Sequence, residues 1–278
     1  MNVAMSVTFI GGGNMADALI GGMLKNGFAP AQLRAVEVDG AARRRLADKH
    51  GVECFDEARK ALRPGDVVVF AVKPQQMQEA ARFSGLKENA NLVISIAAGV
   101  TLASLSRWLG GPTGNYVRMV RAMPNTPALI GAGVAGLYAP KLVSEAERKQ
   151  AEAILGAVGA TVWIEDEALM DAVTAVSGSG PAYVFWFIEQ LSAAGESLGL
   201  TPEVSRKLAL ETVLGAAKLA AQSADSPAQL RERVTSKGGT TEAALKAFEE
   251  HKLAERFLRA VEAARDRGAE LGAALEKD

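Results

Sequence analysis

The chain has 278 residues, of which 49% are hydrophobic, and this length and composition predict about two globular domains, each with its own core. Lys and Arg number 31 against 32 Asp and Glu, a formal net charge of −1, which argues against nucleic-acid partners and against binding to an anionic membrane surface. A single cysteine, Cys54, excludes an internal disulfide, and His50 and His251 are too far apart in sequence to complete a zinc site with it.

The amino-terminal segment predicts no cleaved signal peptide, because no basic region precedes its apolar stretch, which is typical of a strand leading into glycines. Three uncharged stretches, 89–106, 122–140 and 172–188, are interrupted by Gly, Pro, Asn or Ser, unlike a lipid-facing helix. We therefore expect a cytoplasmic protein in a reducing compartment, with no membrane partner and no metal.

Up to about residue 165, short β-branched runs alternate with stretches of helical length, the pattern of a parallel sheet covered by crossover helices. Runs such as 67–72 are apolar on both faces, as expected of central strands, and Ser144 with Glu147 has the spacing of a capping box. We predict an α/β fold whose first domain, 1–165, is a doubly wound sheet. The strand candidates are SVTFI, LRAVEV, DVVVFAV, NLVISIA, NYVRMVRA, GVAGLYA and ATVWI.

From about residue 166 onward, strand signals disappear and the pattern predicts an all-α second domain, 166–278. Each of three prolines fits a first helical position after a candidate cap, and Gly199 is placed to end a helix. Segments 181–199 and 208–222 are apolar around much of their circumference, which fits either the core of one protomer or a subunit interface. The candidate caps and prolines are Gly180 with Pro181, Thr201 with Pro202, and Ser226 with Pro227.

The first candidate binding element is a glycine-rich turn directly after the first predicted strand. Residues 11–16 match G-x-G-x-x-A between a strand and a helix, the arrangement of a dinucleotide-binding loop. Gly11 permits the tight turn, Gly13 lets the backbone approach a pyrophosphate, and Ala16 allows the helix to pack closely on the strand. A glycine turn without a ligand is the alternative, but the strand, the glycines and the helix occur in the required order.

The cofactor that this loop accepts is left open by the residues after the second predicted strand. A carboxylate from Glu37 or Asp39 would bond the ribose hydroxyls of NAD, and at about 4 Å it would oppose a 2′-phosphate by several kcal/mol. Against this, the arginines at 43–45 could pair with that phosphate of NADP, or could lie on an exposed helix face.

Further candidate residues follow the later strands at the carboxyl edge of the sheet, where doubly wound proteins bind ligands. Lys73, kept extended by Pro74, could contact the cofactor or only solvent. Ser95, Ile96 and Ala97 end a strand at the same edge. The turn at 121–127, which contains Asn125, could wall the nicotinamide side or be purely structural.

Two loops of the second predicted domain are candidate sites. The loop at 177–181 is fully explained as a helix cap. The loop at 236–241 joins adjacent glycines, two threonine hydroxyls and a helix start, a combination that suits a small carboxylate. Neither histidine is placed as a proton donor of the kind that ketone reduction needs, whereas a protonated C=N bond brings its own proton. The loops therefore favour an imine substrate bearing a carboxylate.

Five motifs in order across nearly the whole chain resemble pyrroline-5-carboxylate reductase, the last enzyme of proline biosynthesis. They are IGGGNMA at 10–16, FAVKP at 70–74, RAMPNTP at 121–127, SGSGPAY at 177–183 and SKGGTTEAAL at 236–245. The resemblance implies a Rossmann domain followed by a helical dimerisation domain, and reduction of 1-pyrroline-5-carboxylate to L-proline by NADPH or NADH. It also implies a homodimer, with assembly into larger rings in some members.

Carried over by motif, two groups of residues are implied. Those that would bind the cofactor are Ile10, Gly11, Gly12, Gly13, Asn14, Met15, Ala71, Val72, Lys73, Pro74, Ser95, Ile96 and Ala97, together with Glu37 and Asn125, which are predicted from their positions after the strands. Those that would surround the substrate carboxylate are Lys237, Gly238, Gly239, Thr240 and Thr241, with the Thr240 hydroxyl as the catalytic group beside the ring nitrogen.

Two departures from the family pattern bear on this prediction. Many relatives have Ser or Asn where this chain has Glu37, which puts the usual NADPH preference in question, and many have Pro where it has Lys237. Two rivals share parts of the pattern: another imine or β-hydroxyacid reductase with the same first domain, and a dinucleotide sensor without activity.

Overall fold

The computed structural model describes residues 5–86, 91–110 and 116–276. Within them, one sheet is formed by β1 (Val7–Ile10), β2 (Leu33–Val36), β3 (Glu53–Phe55), β4 (Val67–Phe70), β5 (Leu92–Ser95), β6 (Met119–Met123), β7 (Gly133–Tyr138) and β8 (Gly159–Trp163). The α-helices are α1 (Asn14–Lys25), α2 (Gly40–His50), α3 (Ala58–Ala61), α4 (Met77–Phe83), α5 (Leu102–Gly110), α6 (Glu145–Leu155), α7 (Met170–Val173), α8 (Gly180–Ser197), α9 (Pro202–Gln222), α10 (Pro227–Arg233), α11 (Thr240–Glu250) and α12 (Leu253–Glu276).

The strand order is β3-β2-β1-β4-β5-β6-β7-β8, and neighbouring strands are parallel except β6 and β7. This confirms the predicted doubly wound α/β sheet, with one strand that was not predicted and one that departs from the predicted parallel direction. Strand β3 was missing from the candidates because it has three residues, of which Glu53 is exposed. Strand β7 runs antiparallel because the short 3-10 segment Thr126–Ile130, rather than a crossover helix, connects it to β6.

The core of the sheet lies on both of its faces, as the continuous apolar runs predict. Along β4, Val67 and Val69 belong to one buried cluster, while Val68 and Phe70 belong to the cluster on the other face. This alternation is what a strand covered by helices on both sides requires.

The helix boundaries follow the predicted capping residues with one exception. Ser144 and Glu147 form a capping box at α6, and Ser226 forms one with Gln229 at α10. Thr201 caps α9 through the N–H of Val204. The prediction that Gly180 caps a helix was wrong, because α8 already begins at Gly180, directly after a π-helical turn.

The chain divides into two compact units. The first unit comprises residues 1–179 and 264–278, and the second unit comprises residues 180–263. The end of α12 belongs to the first unit, where Gly272 packs on the loop after β5 so closely that a Cβ would lie 2.7 Å from the Gly99 carbonyl oxygen. This division differs from the expected limits of 165 and 166, which stay a prediction.

The described helices include none with both the length and the apolar character needed to cross a membrane. Across the same residues, His, Cys, Asp and Glu side chains form no group of three or more that could hold a metal ion.

Candidate functional site

The carboxyl ends of the central strands meet at one edge of the sheet. Ile10 pairs with both Val36 and Phe70, and Phe70 pairs with Ser95, so the next residue of each strand lies along that edge. Strands β1 and β4 are neighbours although β2 and β3 lie between them in sequence. The strand order therefore reverses its direction between β1 and β4, and at such a switch point doubly wound proteins have the crevice in which they bind ligands.

Gly11 makes the turn from β1 toward α1 possible. Its φ is +102°, its N–H donates to the Val36 carbonyl at 2.9 Å, and a Cβ would lie 2.7 Å from the Ala71 carbonyl oxygen. Any other residue at this position would therefore have a strained φ, and its Cβ would clash with rigid backbone. The structure thus gives the physical reason for the first glycine of the motif.

Gly13 leaves open space at the start of α1. It is the N-cap residue of α1, no side chain caps the helix there, and a Cβ at Gly13 would have no atom within 4 Å. Asn14 beside it is exposed, whereas Ala16 is completely buried against the core. Unpaired N–H groups at a helix start bind phosphate, and the open space lets a pyrophosphate approach. The glycine loop therefore fits the dinucleotide that the motif predicts.

Glu37 follows β2 and lies directly on the glycine loop. One carboxylate oxygen accepts the Gly12 N–H at 2.9 Å, and the other accepts the Asp39 N–H at 2.9 Å. Nη1 of Arg43 donates to the Glu37 carbonyl at 2.6 Å. The predicted carboxylate therefore contacts the glycine loop. Arg43, the first of the three arginines, is bonded to a backbone carbonyl oxygen.

The residues after β4 and β5 complete this edge. The Ala71 N–H donates to Ile10 at 2.7 Å and the Ile96 N–H to Phe70 at 3.1 Å, so the strand ends are held in register. Lys73 is exposed and extended before a 3-10 turn that begins at Pro74. Ser95 is fully buried, and its hydroxyl accepts the Ala97 N–H at 3.4 Å. Ser95 therefore stabilises the start of the loop after β5 from a buried position.

Asn125 is buried in the turn between β6 and β7. Its amide nitrogen donates to the Ser177 carbonyl at 3.0 Å, and its amide oxygen accepts the Val134 N–H at 2.9 Å. These bonds favour the structural interpretation of the turn, and direct contact between Asn125 and the cofactor stays a prediction.

A charged network that the sequence analysis did not identify lies beside this turn. Arg121 is buried in β6, and it donates to Glu167 at 3.2 Å and to Asp171 at 3.4 Å. Glu167 also accepts the Leu102 N–H at 2.8 Å. The available signal was an arginine inside an apolar strand, since a buried guanidinium needs carboxylate partners.

The candidate substrate loop lies in the second unit. Gly238 has a φ of +74°, and its N–H donates to the Glu242 carboxylate at 2.8 Å. Gly239 is the N-cap residue of α11 without a side-chain cap, and Thr240 and Thr241 open the helix. Lys237 and Thr240 are exposed. The structure thus presents the predicted loop as an uncapped helix start with a carboxylate on one side.

The two histidines lie elsewhere. His50 is at the end of α2, where its Nε2 lies 2.6 Å from an Asp17 carboxylate oxygen, and Lys49 donates to the other oxygen of Asp17 at 2.6 Å. Burial alone would raise the pKa of Asp17, but the hydrogen bonds from Lys49 and His50 outweigh burial and lower it. His251 follows the last residue of α11 and is exposed.

Comparisons with known proteins give one family match in the amino-terminal part of the chain and another in the carboxyl-terminal part. Residues 6–99 match a family described as NADP oxidoreductase, coenzyme F420-dependent, and residues 167–271 match the family of pyrroline-5-carboxylate reductase dimerisation. Pyrroline-5-carboxylate reductase of Pseudomonas aeruginosa is 45% identical over 97% of each chain.

Two solved structures share the fold. A pyrroline-5-carboxylate reductase from Coxiella burnetii matches with a TM-score of 0.91 and 41% identity over 97% of this chain and 99% of that one. The Plasmodium falciparum pyrroline carboxylate reductase, solved with NADP bound, matches with a TM-score of 0.81 and 29% identity over 96% and 98% of the two chains.

The fold, the glycine loop and these matches define an NAD(P)-dependent oxidoreductase built on a Rossmann-type sheet. More particularly, the chain belongs to the pyrroline-5-carboxylate reductase family.

Proposed function

We propose that this protein reduces 1-pyrroline-5-carboxylate to L-proline with a hydride from NADPH or NADH, the last step of proline biosynthesis. The observation that carries the proposal is the similarity to pyrroline-5-carboxylate reductases over nearly the full chain, joined to a glycine loop that fits a dinucleotide. When bound, the nicotinamide supplies the hydride that reduces the C=N carbon.

The first unit would hold the cofactor. The N–H groups at the start of α1 would face the pyrophosphate, for which Gly13 leaves the space. Residues after β4 and β5, from Ala71 to Pro74 and from Ser95 to Ala97, would line the edge beside it. Their direct contacts with cofactor are proposals that follow from their place at this edge.

The second unit would hold the substrate carboxylate at the start of α11. The N–H groups of Thr240 and Thr241 carry the partial positive charge of a helix start, and no side chain caps it. The Glu242 carboxylate accepts the Gly238 N–H and stabilises the turn of this loop. The N–H groups of Thr240 and Thr241 would then be left for the substrate. Lys237 is exposed beside them and adds a positive charge.

Thr240 is proposed as the residue beside the ring nitrogen. A protonated C=N bond becomes a neutral amine when it receives hydride, so the enzyme need not deliver a proton to an alkoxide. The Thr240 hydroxyl oxygen, by accepting a hydrogen bond from the protonated nitrogen, would orient the ring for attack, which is the role that we assign to Thr240.

The test is steady-state oxidation of NADPH and NADH with 1-pyrroline-5-carboxylate, with L-proline identified as product. Thr240→Ala should lower kcat/KM by about 10²-fold, within the range for a positioned polar group, while Thr240→Ser should restore most of it. Thr235→Ala is the matched control, because the Thr235 hydroxyl already donates to the Arg231 carbonyl. Unchanged turnover and substrate affinity in Thr240→Ala would remove Thr240 from the mechanism.

We also propose that the protein is a cytoplasmic homodimer and that dimers assemble into larger rings. The second unit leaves large apolar side chains of α8 exposed, among them Phe185 and Trp186, and it falls within the matched dimerisation family. A second copy would cover them. Trp186→Glu should shift the mass measured by light scattering toward the monomer, whereas Phe83→Glu, at a residue 68% exposed in the first unit, should not.

A further inference from the structure

We propose that Glu37 determines the cofactor specificity of this enzyme and makes it bind NADH more tightly than NADPH. The inference rests on the proposed function in one respect, namely that the glycine loop binds a nicotinamide dinucleotide. It adds the choice between the two dinucleotides, which the residues after β2 leave open in the sequence.

The position of Glu37 is fixed by the backbone around it. Its two carboxylate oxygens accept N–H groups from Gly12 and from Asp39, both at 2.9 Å. A Cβ placed on Gly12 would lie 3.0 Å from the Glu37 Cβ, so the side chain is in contact with the glycine loop. In doubly wound proteins a carboxylate at the end of the second strand lies beside the adenosine ribose.

The charge at this position disfavours a 2′-phosphate. A carboxylate can accept hydrogen bonds from the two ribose hydroxyls of NADH, whereas the phosphate of NADPH brings like charge against it. Asp39 adds a second carboxylate two residues later, where its Oδ1 accepts the Ala42 N–H at 2.7 Å as the cap of α2. Asp39 is thus held at the start of α2, and Glu37 is the carboxylate that contacts the glycine loop.

The nearest arginine does not offset this charge. Nη1 of Arg43 donates to the carbonyls of Glu37, at 2.6 Å, and of Val38, at 3.3 Å. Arg43 is therefore already engaged with two backbone carbonyl oxygens.

The remaining arginines, Arg44 and Arg45, lie exposed on α2. Solvent and salt screen the attraction of exposed side chains for a phosphate, and holding a long flexible side chain on it costs conformational entropy. The carboxylate of Glu37, in contrast, is half-buried and already held by two N–H groups. The fixed negative charge should therefore decide the preference.

The test uses calorimetric binding of two cofactor fragments, ADP-ribose and 2′-phospho-ADP-ribose, to the full-length protein. The wild type should bind ADP-ribose at least about tenfold more tightly, as expected from one like charge at partly screened distance. Glu37→Gln, which keeps the shape of the side chain, should reduce this ratio toward one. Glu37→Ser should reduce or reverse it, and thermal unfolding checks that both variants are folded.

Two matched variants test whether the ratio of the two affinities depends on Glu37 itself or on other charges of α2. Asp48→Asn removes an exposed carboxylate farther along α2 and should leave the ratio unchanged. Arg44→Ala should also leave the wild-type ratio nearly unchanged. Equal or tighter binding of 2′-phospho-ADP-ribose by the wild type, or an unchanged ratio in both folded Glu37 variants, would overturn the inference.

The outcome is independent of whether the substrate has been identified correctly. Selective binding of ADP-ribose without turnover of 1-pyrroline-5-carboxylate would support the role of Glu37 and contradict the proposed function. Turnover of 1-pyrroline-5-carboxylate with a kcat/KM that favours NADPH would support the proposed function and contradict the role of Glu37.

Discussion

The two compact units differ in how they bury their apolar side chains. In the first unit the strands β1, β2, β4 and β5 are fully buried, and large side chains such as Phe9 and Leu19 are inaccessible to solvent. In the second unit, all of which is described, only Ser205 and Ala209 are buried. Apolar helices without a core require further protein to cover them. The first unit has a core of its own, whereas the second unit depends on what it packs against.

The same contrast extends to the binding elements. The glycine loop of the first unit is fixed by the hydrogen bond from the Gly11 N–H to the Val36 carbonyl, and the Ile10 carbonyl just before it accepts the Ala71 N–H. The loop before α11 is exposed and is held mainly by Glu242 and by its own turn. The proposed cofactor site is therefore preformed within one chain, while the proposed substrate loop should gain order from a partner copy or from bound substrate.

The largest expected effect concerns a buried ion pair of the first unit. Asp66 accepts two hydrogen bonds from Nη2 of Arg34, at 2.8 and 3.0 Å, and one from Thr8 at 2.9 Å. Asp66→Ala would leave Arg34 charged and buried, so the free energy of unfolding should fall by about 3–5 kcal/mol in urea titrations. Asp56→Ala, which removes an exposed partner of Lys60, is the control and should have no measurable effect.

A smaller and more selective effect compares one leucine from each unit. Leu19 is fully buried, and Leu19→Ala should cost about 2–5 kcal/mol at every protein concentration. Leu210 is 47% exposed in a groove between α8 and α9. If a second copy covers this groove, Leu210→Ala should destabilise the protein only at concentrations where the dimer forms. Equal costs at all concentrations would contradict the contrast between the units.

The smallest expected effect depends on pH. Burial would raise the pKa of Glu147, but hydrogen bonds from Ser144 and Arg118 outweigh burial and lower it below the ordinary value of 4.5. A lowered pKa in the folded state gives stability that is present above the unfolded value and is lost as pH falls through the folded value. Glu147→Gln should therefore cost about 1 kcal/mol at neutral pH and progressively less in acid.

The second unit offers a matched control for this pH dependence. Its capping box pairs Ser226 with Gln229, which carries no charge. Gln229→Ala should therefore have a cost that does not change between neutral pH and acid. A parallel pH dependence of the two variants, followed by urea unfolding, would show that the Glu147 charge is not the cause.

Much of the first unit could be predicted because its signals are local. Apolar runs, glycines and capping residues identify β4, the turn at Gly11 and the box at Ser144 without knowledge of distant contacts. Strand β3 could not be found in this way, since three residues with an exposed Glu53 form a strand only by pairing with β2. Pairing partners are set by the tertiary fold.

The site shows the same limit. The motif predicts that Glu37 lies near the cofactor, but its bond to the Gly12 N–H and the attachment of Arg43 to backbone carbonyls depend on how β2 approaches the loop. The sequence therefore left the cofactor preference open, and these contacts provide the argument for NADH. For Arg121 the sequence indicated a need for carboxylate partners, but not that these are Glu167 and Asp171, which lie 46 and 50 residues further along the chain.

The proposed reaction is tested most directly by following the hydride itself. The full-length protein is incubated with 1-pyrroline-5-carboxylate and with NADH that carries deuterium at both C4 positions, and the product is analysed by mass spectrometry and NMR. We predict L-proline with one deuterium on the δ carbon, the former C=N carbon. Folded protein that binds the dinucleotide but yields no labelled proline would contradict it.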